Sequence, residues 1–248
     1  SIYFADVPKK EVDADILLRP FDWHRWNHYS PPKQLFERRQ AGIMDPNCSE
    51  VTLDYLGIIN SDECVAATAE TLQNPGRGRP PEEIIELVNR RLSVKYNFSI
   101  DTIPSSELSD LCKRKIPVGH ETMVGFNRPD GAIGHCCIIA HLNEELLCDP
   151  TKTEELDISK IVIINPQDGG LLYRNPIKGY LEKNNLVFDD YVQILFLVNE
   201  EKSKPPSTWS LCGEETPPDK FRFTFEPKSL KSHKAPAVDW AAAAAAER

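Results

Sequence analysis

The stretch Gly134-His135-Cys136-Cys137-Ile138-Ile139-Ala140-His141 decides the fold class of this chain. A short apolar run bounded by turn residues is typical of a strand buried inside a sheet. Further strand candidates occupy residues 116–118, 122–126, 145–148, 160–164 and 191–198. Gly, Pro, Asn and Asp residues separate the candidates, and turns of this kind connect antiparallel neighbours. The second half of the chain therefore predicts an antiparallel sheet.

The first half of the chain carries helical patterns instead. Residues 61–73 are rich in alanine and end at Asn74-Pro75-Gly76, which predicts a helix with a sharp stop. Residues 81–91 begin with proline and two glutamates and end with two arginines, as a second helix should. Shorter helices are predicted over residues 50–56 and from residue 105. Helices first and antiparallel strands second predict an α+β fold, with the N-terminal helices packed on the C-terminal sheet.

The chain divides into three predicted parts. Residues 1–45 form an extended N-terminal arm, residues 46–200 form the body, and residues 201–248 form a proline-rich tail or linker. The aromatic residues of Phe21-Asp22-Trp23-His24-Arg25-Trp26 are predicted to anchor the arm to the body, because aromatic rings dominate burial energetics. The arm and the tail are both candidates for docking the body in a larger assembly.

Composition excludes several classes of partner. The net charge of −9 and the pI near 5.2 argue against binding to nucleic acid or to anionic membranes, which require a basic surface. The apolar runs are too short to span a bilayer. The seven cysteines form no Cys-x-x-Cys pair, so we expect free thiols in a reducing, cytoplasmic setting and no metal or other cofactor.

Three residues form a candidate catalytic constellation. Cys64 is predicted near the start of a helix, where free N–H groups and the positive end of the helix dipole favour a thiolate. His135 begins a strand, and Asp149 ends the next one; the separation of 149 − 135 = 14 residues suits a hairpin that places the two side by side. An imidazole held by a carboxylate can take the thiol proton, so the thiolate can attack a carbonyl.

Four blocks of the sequence carry a resemblance to a known superfamily. They are Cys64-Val65-Ala66-Ala67-Thr68 with the Gly76 turn, Pro81-Glu82-Glu83, Gly134-His135, and Cys148-Asp149-Pro150. In this order they resemble the papain-like peptidases that process bacteriocin leaders. The last two blocks are also similar to transglutaminase-like enzymes and papain-fold glutamine deamidases. The resemblance covers residues 58–165 and implies a papain-like fold.

The same resemblance implies a function. Cys64 would be the nucleophile of a thiol protease, His135 its base and Asp149 the group that orients the histidine. The substrate would be a peptide or protein carbonyl, with no cofactor. Glutamine deamidase or transglutaminase-like chemistry on the same triad is an alternative.

This sequence departs from the pattern of that superfamily around the nucleophile. Val65 stands where the family usually has glycine, and the Ile58-Ile59 pair leaves no upstream glutamine for the oxyanion hole. Asn60 is the predicted replacement, beside the backbone N–H of Cys64. Asp62 and Glu63 would oppose a thiolate by like-charge repulsion. A catalytically inactive papain-like module in a larger assembly is therefore a second alternative.

Cys48 is a rival nucleophile. Asp45-Pro46-Asn47-Cys48 precedes a short amphipathic helix and resembles the Asp-Gly-Asn-Cys motif of ovarian-tumour-type deubiquitinases, although the glycine is missing. The context of His135 differs from that family. On these grounds the sequence ranks Cys48 behind Cys64.

Overall fold

A computed structural model describes residues 15–74, 77–128, 134–142, 160–173 and 177–203. The first half contains β1 (Arg19–Pro20), α1 (Trp23–His28), α2 (Lys33–Gln40), α3 (Cys48–Tyr55), α4 (Ser61–Leu72) and α5 (Pro81–Arg91). The second half contains β2 (Tyr96–Pro104), α6 (Leu108–Lys115), β3 (His120–Phe126), β4 (His135–His141), β5 (Ile161–Asn165), β6 (Leu171–Tyr173), α7 (Ile177–Lys183), β7 (Tyr191–Asn199) and α8 (Glu200–Ser203). Single-turn helices lie at Ser105–Glu107 and Pro166–Asp168. In these ranges no helix has the length and apolar character needed to cross a membrane. The α+β prediction is confirmed.

The strands form one antiparallel sheet in the order β2-β7-β3-β4-β5-β6, and β1 pairs with β3 beside this path. β4 pairs with β3 along its whole length, from His135 opposite Phe126 to His141 opposite His120. On its other side, β4 pairs with β5 only from Ile138 onward. The strand beside this part of β4 is therefore β5. The sequence instead predicts that residues 145–148 pair with β4 in a hairpin, and those residues lie outside the described ones.

Both faces of the sheet are covered. On one face, Cys136, Ile138 and Ala140 of β4 belong to the same apolar cluster as buried side chains of α3, α4 and α5. On the other face, Cys137 and Ile139 pack into a second cluster with α6 and α7. A strand buried on both faces needs apolar residues at every position, not at alternate ones. This requirement explains the continuous apolar run of β4 that marks it in the sequence.

The segment predicted as an extended arm is not extended where it is described. It forms α1 and α2, and Phe21 and Trp23 are buried in the same cluster as α3. The two rings meet edge to face with 4.9 Å between their centroids. Residues 1–14 and 204–248 lie outside the described residues, so the prediction of a proline-rich tail falls almost entirely outside them.

A buried ionic cluster joins this segment to the sheet. Glu121 of β3 is fully buried; it pairs with Arg25 at 3.0 Å and with Arg19 at 3.4 Å. The hydroxyl of Tyr55 on α3 also donates to Glu121, at 2.9 Å. Removing one charge from such a cluster leaves the others buried and uncompensated, which is strongly destabilising. The cluster therefore fixes β1, α1 and α3 to the centre of the sheet.

The glycine before β4 generates a testable prediction. A Cβ at Gly134 would lie 2.5 Å from the backbone oxygen of Phe126, whereas one at Gly125 would meet its nearest neighbour, Leu195, at 3.6 Å. We expect Gly134→Ala to reduce the free energy of unfolding by about 1–3 kcal/mol, because the backbone of β3 cannot yield as a side chain can. Urea titration measures this change, with Gly125→Ala as the matched control. Equal effects of the two variants would contradict the close approach.

Candidate active site

The sulfur of Cys48 lies where the helical layer meets the sheet. Cys48 is the first residue of α3, and the backbone N–H of Cys136 in β4 donates to its Sγ at 3.3 Å. Thr52, one turn later on α3, donates its hydroxyl to the carbonyl of Cys136 at 3.5 Å. Because β5 does not pair with β4 before Ile138, α3 occupies the hydrogen-bonding edge that β5 leaves open. His135, the residue before Cys136, lies near enough for its side chain to lower the pKa of the Cys48 thiol.

The surroundings of Cys48 favour its thiolate. A hydrogen bond from the Cys136 thiol holds the pKa of Cys48 well below its ordinary value; His135 adds to this effect, and burial opposes it. The same contact raises the pKa of Cys136. The backbone N–H of Cys136 donates to the Sγ of Cys48, which supports the negative charge on Cys48. The first-turn N–H groups of any α-helix lack intrahelical acceptors and carry partial positive charge, which stabilises an anion at this position. A thiolate in such a setting is a nucleophile.

His135 is held in place by its strand and by a neighbouring ring. The residue is 8% exposed, and its imidazole lies 6.2 Å from the ring of Tyr180 on α7, centroid to centroid. Its buried Nε2 atom has no hydrogen-bond partner among the described residues. Asp149, the predicted orienting partner, lies outside those residues. The third member of the triad therefore stays a prediction.

The turn that leads into Cys48 is fixed by side chains from two directions. Arg38 on α2 binds the Asp45 carboxylate through two hydrogen bonds, at 2.7 and 3.0 Å. Gln167, in the single-turn helix after β5, donates its Nε2 to the Asp45 carbonyl at 2.9 Å and to the Oδ1 of Asn47 at 2.8 Å. The start of α3 is thus tied to the end of β5 as well as to β4.

Cys64 occupies a different environment. It lies on α4, is fully buried, and its N–H already donates to the carbonyl of Asn60 at 2.9 Å. Burial raises the pKa of the Cys64 thiol, and the carboxyl groups of Asp54 and Glu50 raise it further. A thiol in this state is protonated and inert. His135 thus acts on Cys48, whereas Cys64 lies in the apolar cluster, and the polar groups that act on its thiol are Asp54, Glu50 and Thr68.

Asn60 serves as the N-cap of α4. Its side-chain oxygen accepts a hydrogen bond from the N–H of Glu63 at 2.9 Å, and the residue is exposed. This is the ordinary use of asparagine at a helix start. The role of oxyanion-hole donor, predicted for Asn60, has no support in this arrangement.

Two neighbours of Cys48 were missed by sequence reasoning. Gln167 follows Asn47 by 120 residues, and nothing in either local sequence links them. Tyr180 lies on α7, which the sequence pattern did not indicate. Cys48 itself had a visible signal in Asp45-Pro46-Asn47-Cys48, a polar turn directly before a helix.

Comparison with known proteins assigns neither a family nor a function to the chain. No family model matches the chain, and no curated protein matches it with significance. Within the described ranges, the cysteines are free thiols, and no three His, Cys, Asp or Glu residues are grouped so that they could hold a metal ion. The site is therefore defined by its own geometry: a thiol at a helix N terminus, bound by the backbone N–H of Cys136 and near the imidazole of His135, in an α+β fold.

The two candidate thiols should differ in reactivity. We expect iodoacetamide to label Cys48 first in the folded protein and to keep labelling it well below pH 8.5, the approximate pKa of an ordinary cysteine, because its thiolate is stabilised. Mass spectrometry of the labelled peptides at several pH values measures this. Cys64→Ser should leave the fast phase unchanged, and Cys48→Ser should remove it. Labelling of Cys64 ahead of Cys48 would contradict the assignment.

Asp54 on α3 should make stability depend on pH. Burial raises its pKa to about 6, although a hydrogen bond from Tyr29 opposes the rise. The folded state thus binds this proton more tightly than the unfolded state, so its contribution is complete below about pH 4 and is lost as the pH rises through 6. Asp54→Asn remains neutral, and we expect it to lose less stability than the wild type between pH 4 and pH 7.

Urea midpoints measured across this pH interval test the prediction. Asp62→Asn, at an exposed position of α4, is the matched control and should follow the wild type. Parallel curves for Asp54→Asn and the wild type would refute the role assigned to Asp54.

Proposed function

We propose that the protein is a papain-like, cysteine-dependent hydrolase that acts on a peptide or protein carbonyl, with Cys48 as the nucleophile and His135 as the base. The observation that carries this proposal is the position of the Cys48 sulfur, which accepts the backbone N–H of Cys136, the residue after His135. The His135 side chain lies near enough to lower the pKa of this thiol. A nucleophile and a base within hydrogen-bonding reach are the minimal requirement for thiol acyl transfer. Cys48 thus takes the role that the sequence assigned to Cys64.

The chemistry follows from the positions of the groups. The Cys48 thiolate attacks the carbonyl carbon, and the developing oxyanion is stabilised by N–H groups at the start of α3. His135, protonated by the thiol, donates that proton to the leaving amine as the carbon–nitrogen bond breaks. Water then attacks the thioester while His135 accepts its proton, which releases the acid and restores the thiol.

The architecture supports the papain-like assignment. A cysteine begins a helix that packs on an antiparallel sheet, and the histidine begins a strand of that sheet. The Nε2 of His135 has no hydrogen-bond partner in the described part of the chain, so an orienting carboxylate could bind there, and Asp149 remains the predicted residue. The free thiols of the described residues are consistent with the reducing compartment that we propose for the protein.

The burial of the site favours a second candidate function. Cys48 and His135 are each 8% exposed, so substrate access requires movement of the surrounding chain. This degree of burial favours a non-enzymatic papain-like module in a larger assembly over an enzyme with an open cleft. Glutamine deamidation or transglutamination shares the acylation step with hydrolysis and differs in the carbonyl attacked and the acceptor used.

Acylation of the thiol distinguishes these functions. We expect p-nitrophenyl acetate to transfer its acetyl group to Cys48, visible by intact mass, and a random peptide library to be cleaved. Cys48→Ala and His135→Ala should each reduce turnover by about a thousandfold or more, as loss of a member of a catalytic unit does. Cys64→Ala is the matched control and should retain activity.

The products separate the alternatives. New peptide termini support a protease, whereas ammonia release from glutamine-bearing proteins without cleavage supports a deamidase. A folded protein whose Cys48 is never acylated, even though iodoacetamide labels it, would refute the enzymatic proposal and favour the structural module.

A further inference from the structure

Two asparagines occupy the N-cap positions of two neighbouring helices, and they behave differently. Asn60, before α4, has extended backbone angles (φ −88°, ψ 174°), and its side chain caps the helix. Asn47, before α3, has φ −114° and ψ 27°, and its side chain makes no capping hydrogen bond. Asparagine at this position normally caps from an extended backbone, because the side-chain oxygen then reaches the first-turn N–H groups. The start of α3 is therefore uncapped in spite of a residue suited to cap it.

The side chain of Asn47 is occupied elsewhere. Its Oδ1 accepts a hydrogen bond from Gln167 at 2.8 Å, and its Nδ2 donates to the hydroxyl of Thr68 on α4 at 3.4 Å. Both partners are buried. Of the two contacts, the one to Gln167 is the shorter, and it engages the oxygen that a cap would use.

Gln167 also fixes the backbone of the turn. The same Nε2 that binds Asn47 donates to the carbonyl of Asp45 at 2.9 Å, so both hydrogens of the amide group are used on one turn. This amide spans the turn from Asp45 to Asn47 and holds it where Asn47 does not adopt the extended conformation of a cap. The glutamine lies in the single-turn helix that directly follows β5, and β5 is paired with β4 in the sheet.

An uncapped helix start matters here because of what lies beside it. The Sγ of Cys48 sits at this terminus, and the Nε2 of His135, in a residue more than nine-tenths buried, has no partner among the described residues. A capping oxygen would take the N–H groups that can otherwise stabilise a thiolate or an oxyanion. A helix start without a side-chain cap is less stable, so the absence of a cap by Asn47 needs a cause, and the contact with Gln167 supplies one.

We propose that Gln167 is a positioning residue, which keeps Asn47 from capping α3 and so reserves the first-turn N–H groups of α3 for the sulfur of Cys48 and for the oxyanion. This role rests on the proposed function, in which Cys48 is the nucleophile. Gln167 touches neither the sulfur nor the substrate carbonyl. It acts through the conformation of Asn47.

Other titratable groups surround the sulfur and remain unchanged in the test. They are His135, Cys136 and Cys137 on β4 and Tyr180 on α7; in addition, Glu50 on α3 acts on Cys136, and Asp45 in the adjoining turn is paired with Arg38 on α2. Each of these groups is present in every variant below. A change in the reactivity of Cys48 therefore arises from altered hydrogen bonding at the N terminus of α3 and not from the loss of one of these neighbours.

The test is the pH profile of iodoacetamide alkylation at Cys48, measured in the full chain. Gln167→Met keeps the volume of the side chain and removes its donor. We expect the apparent pKa of the profile to rise by about one and the rate at pH 6 to fall about tenfold, because a capping oxygen replaces charge-assisted hydrogen bonds to the thiolate. Gln193→Met, which alters another buried glutamine, on β7, is the matched control and should leave the profile unchanged.

The same substitution made in an Asn47→Ala variant tests whether Gln167 acts through Asn47. Alanine has no side chain with which to cap, so adding Gln167→Met to Asn47→Ala should not change the profile further. If Gln167→Met does not fold, Gln167→Asn, which shortens the amide by one methylene, is expected to give the same rise and the same dependence on Asn47.

The outcomes are distinct from those of the proposed function. An unchanged profile in the folded Gln167 variant would overturn the positioning role, and so would an equal rise in the wild-type and Asn47→Ala backgrounds. Alkylation needs no substrate, so this result stands whether or not peptides are cleaved. If Cys48 does not accept an acyl group, the proposal that the protein is a hydrolase is refuted. The pH profile of alkylation still tests the positioning role of Gln167.

Discussion

The backbone of Cys136 is the constraint on which the candidate site depends. Its N–H and its carbonyl are both bound by α3, through Cys48 and Thr52, at the place where β5 no longer pairs with β4. Buried backbone groups must find partners, and here a helix meets that need instead of a strand. The same two contacts bring the start of α3 against the start of β4. Cys48 therefore lies near His135 because the backbone N–H and carbonyl of Cys136 need hydrogen-bond partners, and α3 supplies them.

The sequence predicts the layers of the fold well because each layer has a local pattern. The apolar run of β4 indicates a strand, and the proline, glutamates and arginines of 81–91 mark α5 at both ends. The pairing of β4 with β5 was not predictable in the same way, since residues 145–148 are nearer in the chain. Segment 15–45 lacks a sustained apolar period, and its helices gain their stability from tertiary burial of Phe21 and Trp23.

Local sequence patterns do not show which of the two thiols, Cys48 or Cys64, lies against the sheet. Both Cys48 and Cys64 lie near helix starts, and the alanine-rich helix of Cys64 gave the stronger signal. In the structure Cys48 is the first residue of its helix, whereas the N–H of Cys64 already belongs to the intrahelical ladder. Which helix faces β4 is a property of the whole fold. The local indications against Cys64 were the acidic Asp62 and Glu63, Val65 in place of glycine and the missing upstream glutamine.

The buried Glu121 cluster has a consequence for how the molecule can be divided. A cut at residue 45, which the sequence suggests as a boundary, would strip Arg19 and Arg25 from a carboxylate in the middle of the sheet. The shortened chain would keep every strand from β2 to β7 and still bury an uncompensated negative charge beside α3. We therefore expect segment 15–45 and the body to unfold together, and a fragment that folds on its own to begin before Arg19.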